Sequence, residues 1–454
     1  MKIIVVGAGE VGFHIASHLV LENKDVVVVD KHPVALRRVS DNLDVQVING
    51  SGSSPIVLEE AGIQNAEIIL AVTNSDETNL VACLVADIIS PSTKKLARVR
   101  NADFDHYHEN LREQAPHIDT IINPDIEVVK IIHRMMSVPG AVDISEFADG
   151  RLKFVGVNLN EDSRLAGARL SDLPKIIGEA RLLIAAVVRE DELIIPGGDD
   201  FLESGDLVYF ISEEDKLLDT LSLFNKVAQP LKRALIIGGG RIGYRLARLL
   251  EEHSINCKII ERHPERCTYL AERLNKSIVL NGDGSDQELL SEENIQDMDV
   301  VITLTQDEET NILASLLAKR MGARNTITRI SKFSYFPLTD AIGIEQVVSP
   351  RLSAINTILQ HIRKGKVLSA ISIKGEQAEV IEAVALETSD IVEKPLRDIS
   401  FPKGAMVAGI IREKTIIIPT GESVIQPNDR IIIFARKEAI SKIEKILSVK
   451  LEYF

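Results

Sequence analysis

The stretch Ile3-Ile4-Val5-Val6-Gly7-Ala8-Gly9-Glu10-Val11-Gly12 decides the fold. Four β-branched residues in a row suit a strand buried on both faces. Val11, Ile15 and Leu19 then recur at the i, i+4 spacing of an amphipathic helix. Between strand and helix stand three glycines in the pattern G-x-G-x-x-G. The first permits the tight turn. The second removes a side chain where the backbone must approach a pyrophosphate. The third lets the helix sit close on the strand. The free N–H groups and dipole of the helix then face an anion. Asp30 lies 23 residues after Gly7, at the end of a second apolar run, Val26–Val29. A carboxylate there accepts hydrogen bonds from a ribose diol and repels a 2′-phosphate, which favours NAD or NADH over the phosphorylated pair.

The motif occurs twice. Leu235-Ile236-Ile237-Gly238-Gly239-Gly240-Arg241-Ile242-Gly243 repeats it 231 residues downstream, and at that offset Glu261 meets Asp30, His263 meets His32, Pro264 meets Pro33 and Arg329 meets Arg98. With one residue added, Thr73 meets Thr305, and Glu77-Thr78-Asn79 meets Glu309-Thr310-Asn311. The stretches that follow each copy also correspond. Val188-Arg189-Glu190 echoes Ile411-Arg412-Glu413, and Asp206 in Gly205-Asp206-Leu207 echoes Asp429 in Asn428-Asp429-Arg430. A string of such matches is a duplication of the form A-B-A′-B′.

Unit A alternates short apolar runs, at 2–6, 26–29, 45–48, 68–72, 96–99 and 118–122, with amphipathic stretches that include Leu80, Leu84 and Ile88. That alternation predicts a doubly wound parallel sheet of Rossmann type. Unit B has shorter strands and turns such as Pro196-Gly197-Gly198-Asp199, which predicts a small α+β module. The expected domains are 1–123 and 231–349 for the two nucleotide-binding units, and 140–225 and 366–454 for the two small ones. Helices are expected near 127–136 and 351–362, and a boundary between the halves at 228–233.

Further readings concern single residues. Thr73-Asn74-Ser75-Asp76 ends the fourth strand; Thr73 is expected as an N-cap with Asp76 as its reciprocal partner, and Thr73 and Asn74 are expected to face the ligand crevice as well. Thr305 is the equivalent in the second copy. Arg98 and Arg329 sit within the fifth strands, where a buried cation needs an anion, either a bound phosphate or a protein carboxylate. Arg241 opens the second helix and adds a phosphate partner that suits a more highly charged ligand such as ATP or ADP as well as NAD; the alternative is a structural copy that has lost its ligand. The polar run Asp103-Phe104-Asp105-His106-Tyr107-His108-Glu109 lacks a metal-ligand spacing, and no metal is expected. The basic run His361-Ile362-Arg363-Lys364-Gly365-Lys366 reads as solvated surface or as a contact with lipid or a membrane partner.

Composition excludes several classes. The chain has 454 residues, 45% of them apolar and 26% charged, with a net charge of −15. That charge argues against nucleic acid as a partner. The longest apolar run, Leu182–Val188, is far too short to span a bilayer. No signal peptide is expected, and Cys83, Cys257 and Cys267 form no C-x-x-C pair, as suits a reducing cytoplasm. A dehydrogenase would need an acid or base beside the nicotinamide; only His14 and His18 lie near the first fingerprint, and no nucleophile triad is legible. Dinucleotide binding without chemistry points to a sensor rather than an enzyme.

The layout, together with Gly7-Ala8-Gly9-Glu10-Val11-Gly12, Val28-Val29-Asp30, Thr73-Asn74-Ser75-Asp76-Glu77-Thr78-Asn79 and Ala97-Arg98-Val99-Arg100, resembles the TrkA family of peripheral nucleotide-binding subunits of potassium uptake systems. The resemblance covers essentially the whole chain. It implies tandem domains that regulate potassium conductance (RCK domains), each a Rossmann-type unit followed by a small regulatory unit. It implies NAD contacts at Gly7, Ala8, Gly9, Glu10, Val11, Asp30, Thr73, Asn74 and Arg98, and in the second copy at Gly238, Gly239, Gly240, Arg241, Ile242 and Glu261. Gly282-Asp283 of the second copy stands against Gly50-Ser51 of the first, so a direct Asp contact there is expected only in the second site. The resemblance also implies a cytoplasmic location, peripheral to the membrane on an integral TrkH-like potassium transporter subunit, and a ring that four chains complete as a homotetramer. Two alternatives from the residues themselves are a regulator of another ion transporter, such as potassium efflux, and an NAD-dependent oxidoreductase.

Overall fold

The structure is a computed structural model, and it describes residues 1–104, 117–138, 140–178, 182–226, 231–362, 367–373 and 377–447. The polar run from Asp105 onward, the basic run from Arg363 to Lys366 and residues 228–230 of the expected boundary lie outside the described residues.

The first parallel sheet contains β1 (Lys2–Val6), β2 (Asp25–Asp30), β3 (Gln46–Asn49), β4 (Ile68–Ala71), β5 (Lys94–Arg98) and β6 (Thr120–Ile122), in the order β3-β2-β1-β4-β5-β6. The order reverses beside β1, which opens a crevice at the carboxyl ends of β1 and β4. Helices α1 (Glu10–Leu21), α2 (Pro33–Asn42), α3 (Pro55–Glu60) and α4 (Asp76–Ile89) alternate with the strands. Ile3, Ile4, Val27, Val28, Ile69 and Leu70 are fully buried, as strands covered on both faces require. A helix α5 (Pro124–Ser137) follows β6.

The first small domain is an antiparallel sheet of β7 (Ala141–Phe147), β8 (Leu152–Asn158), β9 (Leu182–Arg189), β10 (Glu192–Ile194) and β11 (Leu207–Glu213), in the order β10-β9-β11-β8-β7, with helices α6 (Leu173–Ile177) and α7 (Leu217–Leu223). The second half repeats both patterns. Strands β12 (Arg233–Ile237), β13 (Asn256–Glu261), β14 (Ile278–Asn281), β15 (Val300–Thr303), β16 (Thr326–Arg329) and β17 (Gln346–Val348) pair in the same parallel order as the first sheet, with α8 (Arg241–Glu252), α9 (Pro264–Ala271), α10 (Gln287–Glu292), α11 (Glu308–Arg320) and α12 (Phe336–Ala341) between them. Helix α13 (Pro350–Ile362) follows. The last sheet, β18 (Val367–Ile373), β19 (Ala378–Val384), β20 (Ala405–Arg412), β21 (Thr415–Ile417) and β22 (Arg430–Arg436), is antiparallel and ends in α14 (Ile440–Leu447).

Contacts divide the chain into two compact units. One is Met1–Glu127 with the helix α13, which lies against α1 and β6. The other holds the second parallel sheet and both small domains. In that second unit Val128, Ile132 and Met135 of α5 pack among Leu246, Leu250 and Ile259 of the second Rossmann-type domain. The two antiparallel sheets meet face to face there through Phe154, whose ring stacks on Tyr209 at 5.6 Å and on Phe434 at 6.0 Å between centroids.

The helical stripe expected on α4 needs one correction. Leu80 is buried and Leu84 half-buried, but Ile88 is 72% exposed. An i, i+4, i+8 row drifts around a helix of 3.6 residues per turn. The buried face instead runs through Asn79, Ala82, Cys83 and Ala86.

Candidate nucleotide-binding sites

Gly7 leaves β1 at φ +114°, a conformation that side chains disfavour, and its N–H donates to Val29 O at 2.8 Å. Gly238 repeats this at φ +109°, with its N–H on Ile260 O at 2.8 Å. A Cβ on Gly12 would overlap the Gly7 carbonyl oxygen, and one on Gly243 would overlap that of Gly238. The third glycine of each loop is therefore a packing requirement. The second is different: a Cβ on Gly9 or Gly240 would meet nothing within 4 Å. Gly9 and Gly240 are also the N-caps of α1 and α8, and neither helix start carries a side-chain cap. Two helix termini thus offer uncapped N–H groups across open space, where a pyrophosphate would fit.

The carboxylates expected to face a ribose also hold the loops. Asp30 Oδ2 accepts from Ala8 N–H at 2.6 Å and Oδ1 from His32 N–H at 2.8 Å. Glu261 makes the same two bonds, to Gly239 N–H and His263 N–H, both at 2.9 Å. The extra methylene of Glu is absorbed without changing the pattern. Ala8 is buried in the first loop, whereas a Cβ on Gly239 would collide with Leu270 of α9. Val11 and Ile242 are buried on their helices, so only their backbones are available to a ligand.

Glu10 and Arg241 follow the second glycines and differ in surroundings. Glu10 is paired with Arg38, whose hydrogen bond holds the Glu10 carboxyl below its ordinary range, and Arg38 covers the Phe13 ring at 4.4 Å. Arg241 is exposed. In the second site another cation, Arg266, donates to Gly239 O at 2.7 Å and lies over Tyr269.

The fourth strand ends differently from the expected capping box. Ser75, not Thr73, is the N-cap of α4: its hydroxyl accepts from Thr78 N–H at 3.0 Å. Asp76 accepts instead from the N–H groups of Arg100 and Asn101 at 3.0 and 2.9 Å. Thr73 stands two residues too early to cap, and Asn79 takes it. Asn79 is fully buried; its Oδ1 accepts from Thr73 N–H at 2.8 Å and Thr73 Oγ1–H at 2.7 Å, and its Nδ2 donates to Thr73 O at 3.1 Å and Arg98 O at 2.8 Å. Asn311 makes the same four bonds with Thr305 and Arg329. The repeat displayed both asparagines, and a polar residue on the buried face of an otherwise apolar helix was the signal for a role.

Arg98 is 7% exposed and donates to Thr73 O at 2.7 Å and Asn74 Oδ1 at 3.2 Å. Its Nε is buried with no hydrogen-bond partner. Burial, then the charge of Arg100 and Arg351, bring its pKa down to about 10 against the opposing pull of Asp76 and Asp125. The hydrogen bonds made by Arg98 thus go to neutral oxygens, and the charges that favour its cationic form are the carboxylates of Asp76 and Asp125. Arg329 is half-buried and donates to Thr305 O at 3.0 Å. Asp283 accepts from Ser285 N–H and Oγ–H and is held below its usual range by them, whereas Ser51 meets Ser53.

Elsewhere, Cys83 and Cys257 are buried, and burial pushes the Cys257 thiol up to about 12. Among the described residues no group of three or more His, Cys, Asp and Glu could hold a metal, and no helix is long and apolar enough to cross a membrane.

Comparison with known proteins bears on the family and the fold. The TrkA-N domain matches residues 3–124 and 234–350, and the TrkA-C domain matches 154–225 and 380–448. The chain is 39% identical over 452 residues to Trk system potassium uptake protein TrkA homolog 1 of Methanosarcina mazei, covering 98% of this chain and 99% of that one. It is 37% identical over 451 residues to Trk system potassium uptake protein TrkA of Vibrio alginolyticus, with 98% of each covered. Among solved structures, the GsuK RCK domain superposes with a TM-score of 0.60 at 18% identity over 98% of this chain and 94% of that one. The GsuK channel bound to NAD does so with a TM-score of 0.60 at 19% identity, over 98% of this chain and 78% of that one. At those identities the structures establish the shared fold.

Proposed function

The chain belongs to the TrkA family of Trk potassium uptake proteins, and on that premise we propose that it is a nucleotide-sensing regulatory subunit that binds NAD or NADH and gates an integral membrane, TrkH-like potassium-translocating partner. The observation that carries this reading is the pair of uncapped helix N-termini at Gly9 and Gly240, each facing open space and each followed through β2 or β13 to a carboxylate. The dinucleotide would lie with its pyrophosphate on residues 7–11 and its adenosine ribose at Asp30. Thr73, Asn74 and Arg98 would line the same crevice. The second site would use residues 238–242, Glu261, Thr305 and Arg329, and Arg241 would make it tolerant of ATP or ADP.

Gating requires that the ligand bind two protein states unequally. A coupling of about 1–3 kcal/mol changes the partner's equilibrium about 5- to 150-fold. The chain would work in the cytoplasm, held at the membrane by protein contacts, as a homotetramer and without catalysing turnover of the nucleotide.

Calorimetric titration of the full chain with NAD, NADH, ATP and ADP tests the reading. Saturable binding is expected, with NADH absorbance unchanged in the presence of carbonyl compounds. A full chain that binds none of the four overturns it. Complementation of potassium-uptake-deficient cells at low potassium separates an uptake regulator from a regulator of efflux.

A further inference from the structure

Helix α13 begins directly after β17, the last strand of the second Rossmann-type domain, yet it belongs to the compact unit of the first. It lies against α1, whose first residue is Glu10, and against β6, whose Ile122 pairs with Arg98. Arg351 is its second residue and is half-buried. The helix that follows the first domain starts Pro124-Asp125, where α13 starts Pro350-Arg351. The two linker helices thus carry opposite charges at the same place.

We propose that Arg351 is a phosphate-binding residue of the first nucleotide site, so that the pyrophosphate there is held by both halves of the chain. This rests on the reading of that site as a nucleotide site. Two groups on opposite sides of the crevice register Arg351. Its charge lowers the Glu10 carboxyl, after the larger effect of Arg38, and it adds to the burial and the Arg100 charge that lower the Arg98 guanidinium. Lys94 at the start of β5 donates to His361 O in the last turn of α13 at 2.7 Å, so the helix runs back along the sheet and its first turn, with Arg351, lies toward the carboxyl ends of the strands, where the crevice opens. Arg98 already presents a buried Nε with no partner in that crevice. A guanidinium offers a planar fork suited to phosphate oxygens. The residue adds a contact that no glycine loop of the first domain could supply, and it makes occupancy of that site depend on a helix continuous with β17.

The test uses the full chain carrying Gly240→Asp, so that the first site alone is read. Calorimetry with AMP, ADP and NADH compares this parent with Arg351→Ala and Arg351→Lys. In Arg351→Ala, ADP and NADH are expected to weaken about 10-fold or more and AMP markedly less, with Arg351→Lys recovering part of the loss. Affinities for ADP and NADH within twofold of the parent overturn the proposal while leaving the nucleotide site intact. Equal losses for AMP and ADP overturn it too, since a loosened α13 would weaken every nucleotide alike. If the parent binds no nucleotide whereas the unsubstituted chain binds one, the reading of the first site falls, and this proposal with it.

Discussion

The side chain of Asn79 and the backbone of Thr73 satisfy one another: Asn79 Oδ1 accepts from Thr73 N–H at 2.8 Å and Nδ2 donates back to Thr73 O at 3.1 Å. Through a further bond, Nδ2 to Arg98 O at 2.8 Å, the same amide ties β4 to β5 at the crevice. Asn79→Ala would leave these backbone groups without their partner in a fully buried place, a loss of about 2–4 kcal/mol. Hydrogen exchange of the full chain is the suitable measure, because one melting temperature does not describe a chain of several domains. Amides of residues 72–79 and 98–100 are expected to lose protection in Asn79→Ala, with the second half unchanged. Unaltered protection in the first half would show that the amide does not hold the crevice.

Asp30 has two tasks in this geometry. Its carboxylate fixes Ala8 N–H and His32 N–H and is expected to accept the ribose hydroxyls. Asp30→Ala should weaken NADH binding at the first site by about 10- to 150-fold, as the loss of charge-assisted bonds worth roughly 1.5–3 kcal/mol. Asp30→Asn, which keeps one acceptor, should lose less. An Asp30→Ala chain that binds NADH as tightly as the unsubstituted one would refute the placement of the ribose.

Much of this was legible in the chain itself, for definite reasons. A parallel strand buried on both faces must be continuously apolar, so 3–6 and 26–29 read without ambiguity. Gly7 and Gly12 are required by backbone geometry that no other residue meets, and the duplication multiplied each signal. Capping was misread because Thr73-Asn74-Ser75-Asp76 offers two hydroxyls and one carboxylate within four residues, and sequence does not say which hydroxyl stands at the helix start. Arg38 and Arg266 were missed for a different reason. Each reaches a glycine loop or its crevice from a helix distant in sequence, through tertiary contacts that no local pattern records.

The two sites should separate by mutation. Gly9 and Gly240 face open space, so an aspartate at either position is tolerated by the fold but sets a carboxylate against the anion. Gly9→Asp and Gly240→Asp are each expected to remove one of two binding events per chain in calorimetry. The event left in Gly240→Asp should favour NADH, and the one left in Gly9→Asp should accept ATP or ADP, because Arg241 and Arg266 add positive charge there. Identical selectivity in both variants would show that the sites are equivalent.

Acid should loosen the first half through Asp87. Lys95 is 1% exposed and donates to Asp87 at 2.6 Å, and His117 N–H donates to the other oxygen at 3.0 Å. Burial alone would raise the Asp87 carboxyl, but the Lys95 hydrogen bond and the His117 N–H outweigh it and hold the pKa below its ordinary value. A carboxyl lowered on folding contributes stability that is present above its unfolded pKa and is lost as pH falls through the folded one. The first half of the full chain should therefore destabilise as pH falls below about 4. Asp87→Asn should flatten that dependence while lowering stability at neutral pH by about 1–3 kcal/mol, since Lys95 then keeps only Asp119 at 3.6 Å and Pro91 O at 3.0 Å as partners. Hydrogen exchange across residues 80–99, followed against pH, reads both effects. A slope unchanged by Asp87→Asn would assign the acid sensitivity elsewhere.

The last expectation concerns assembly. Rossmann-type units arranged about a closed axis let a crevice motion in one add to the motion of its neighbours. One chain holds two such units, so a ring of eight, which the family resemblance implies, takes four chains. At 50.0 kDa per chain, light scattering on the size-exclusion peak should report about 200 kDa. Nucleotide that couples to gating should alter the hydrodynamic radius of that species at constant mass, since population shift within a closed ring changes shape and not stoichiometry. A monomer at micromolar concentration, with and without NADH, would remove the ring and leave a tandem nucleotide-binding chain whose ligand acts within one protomer.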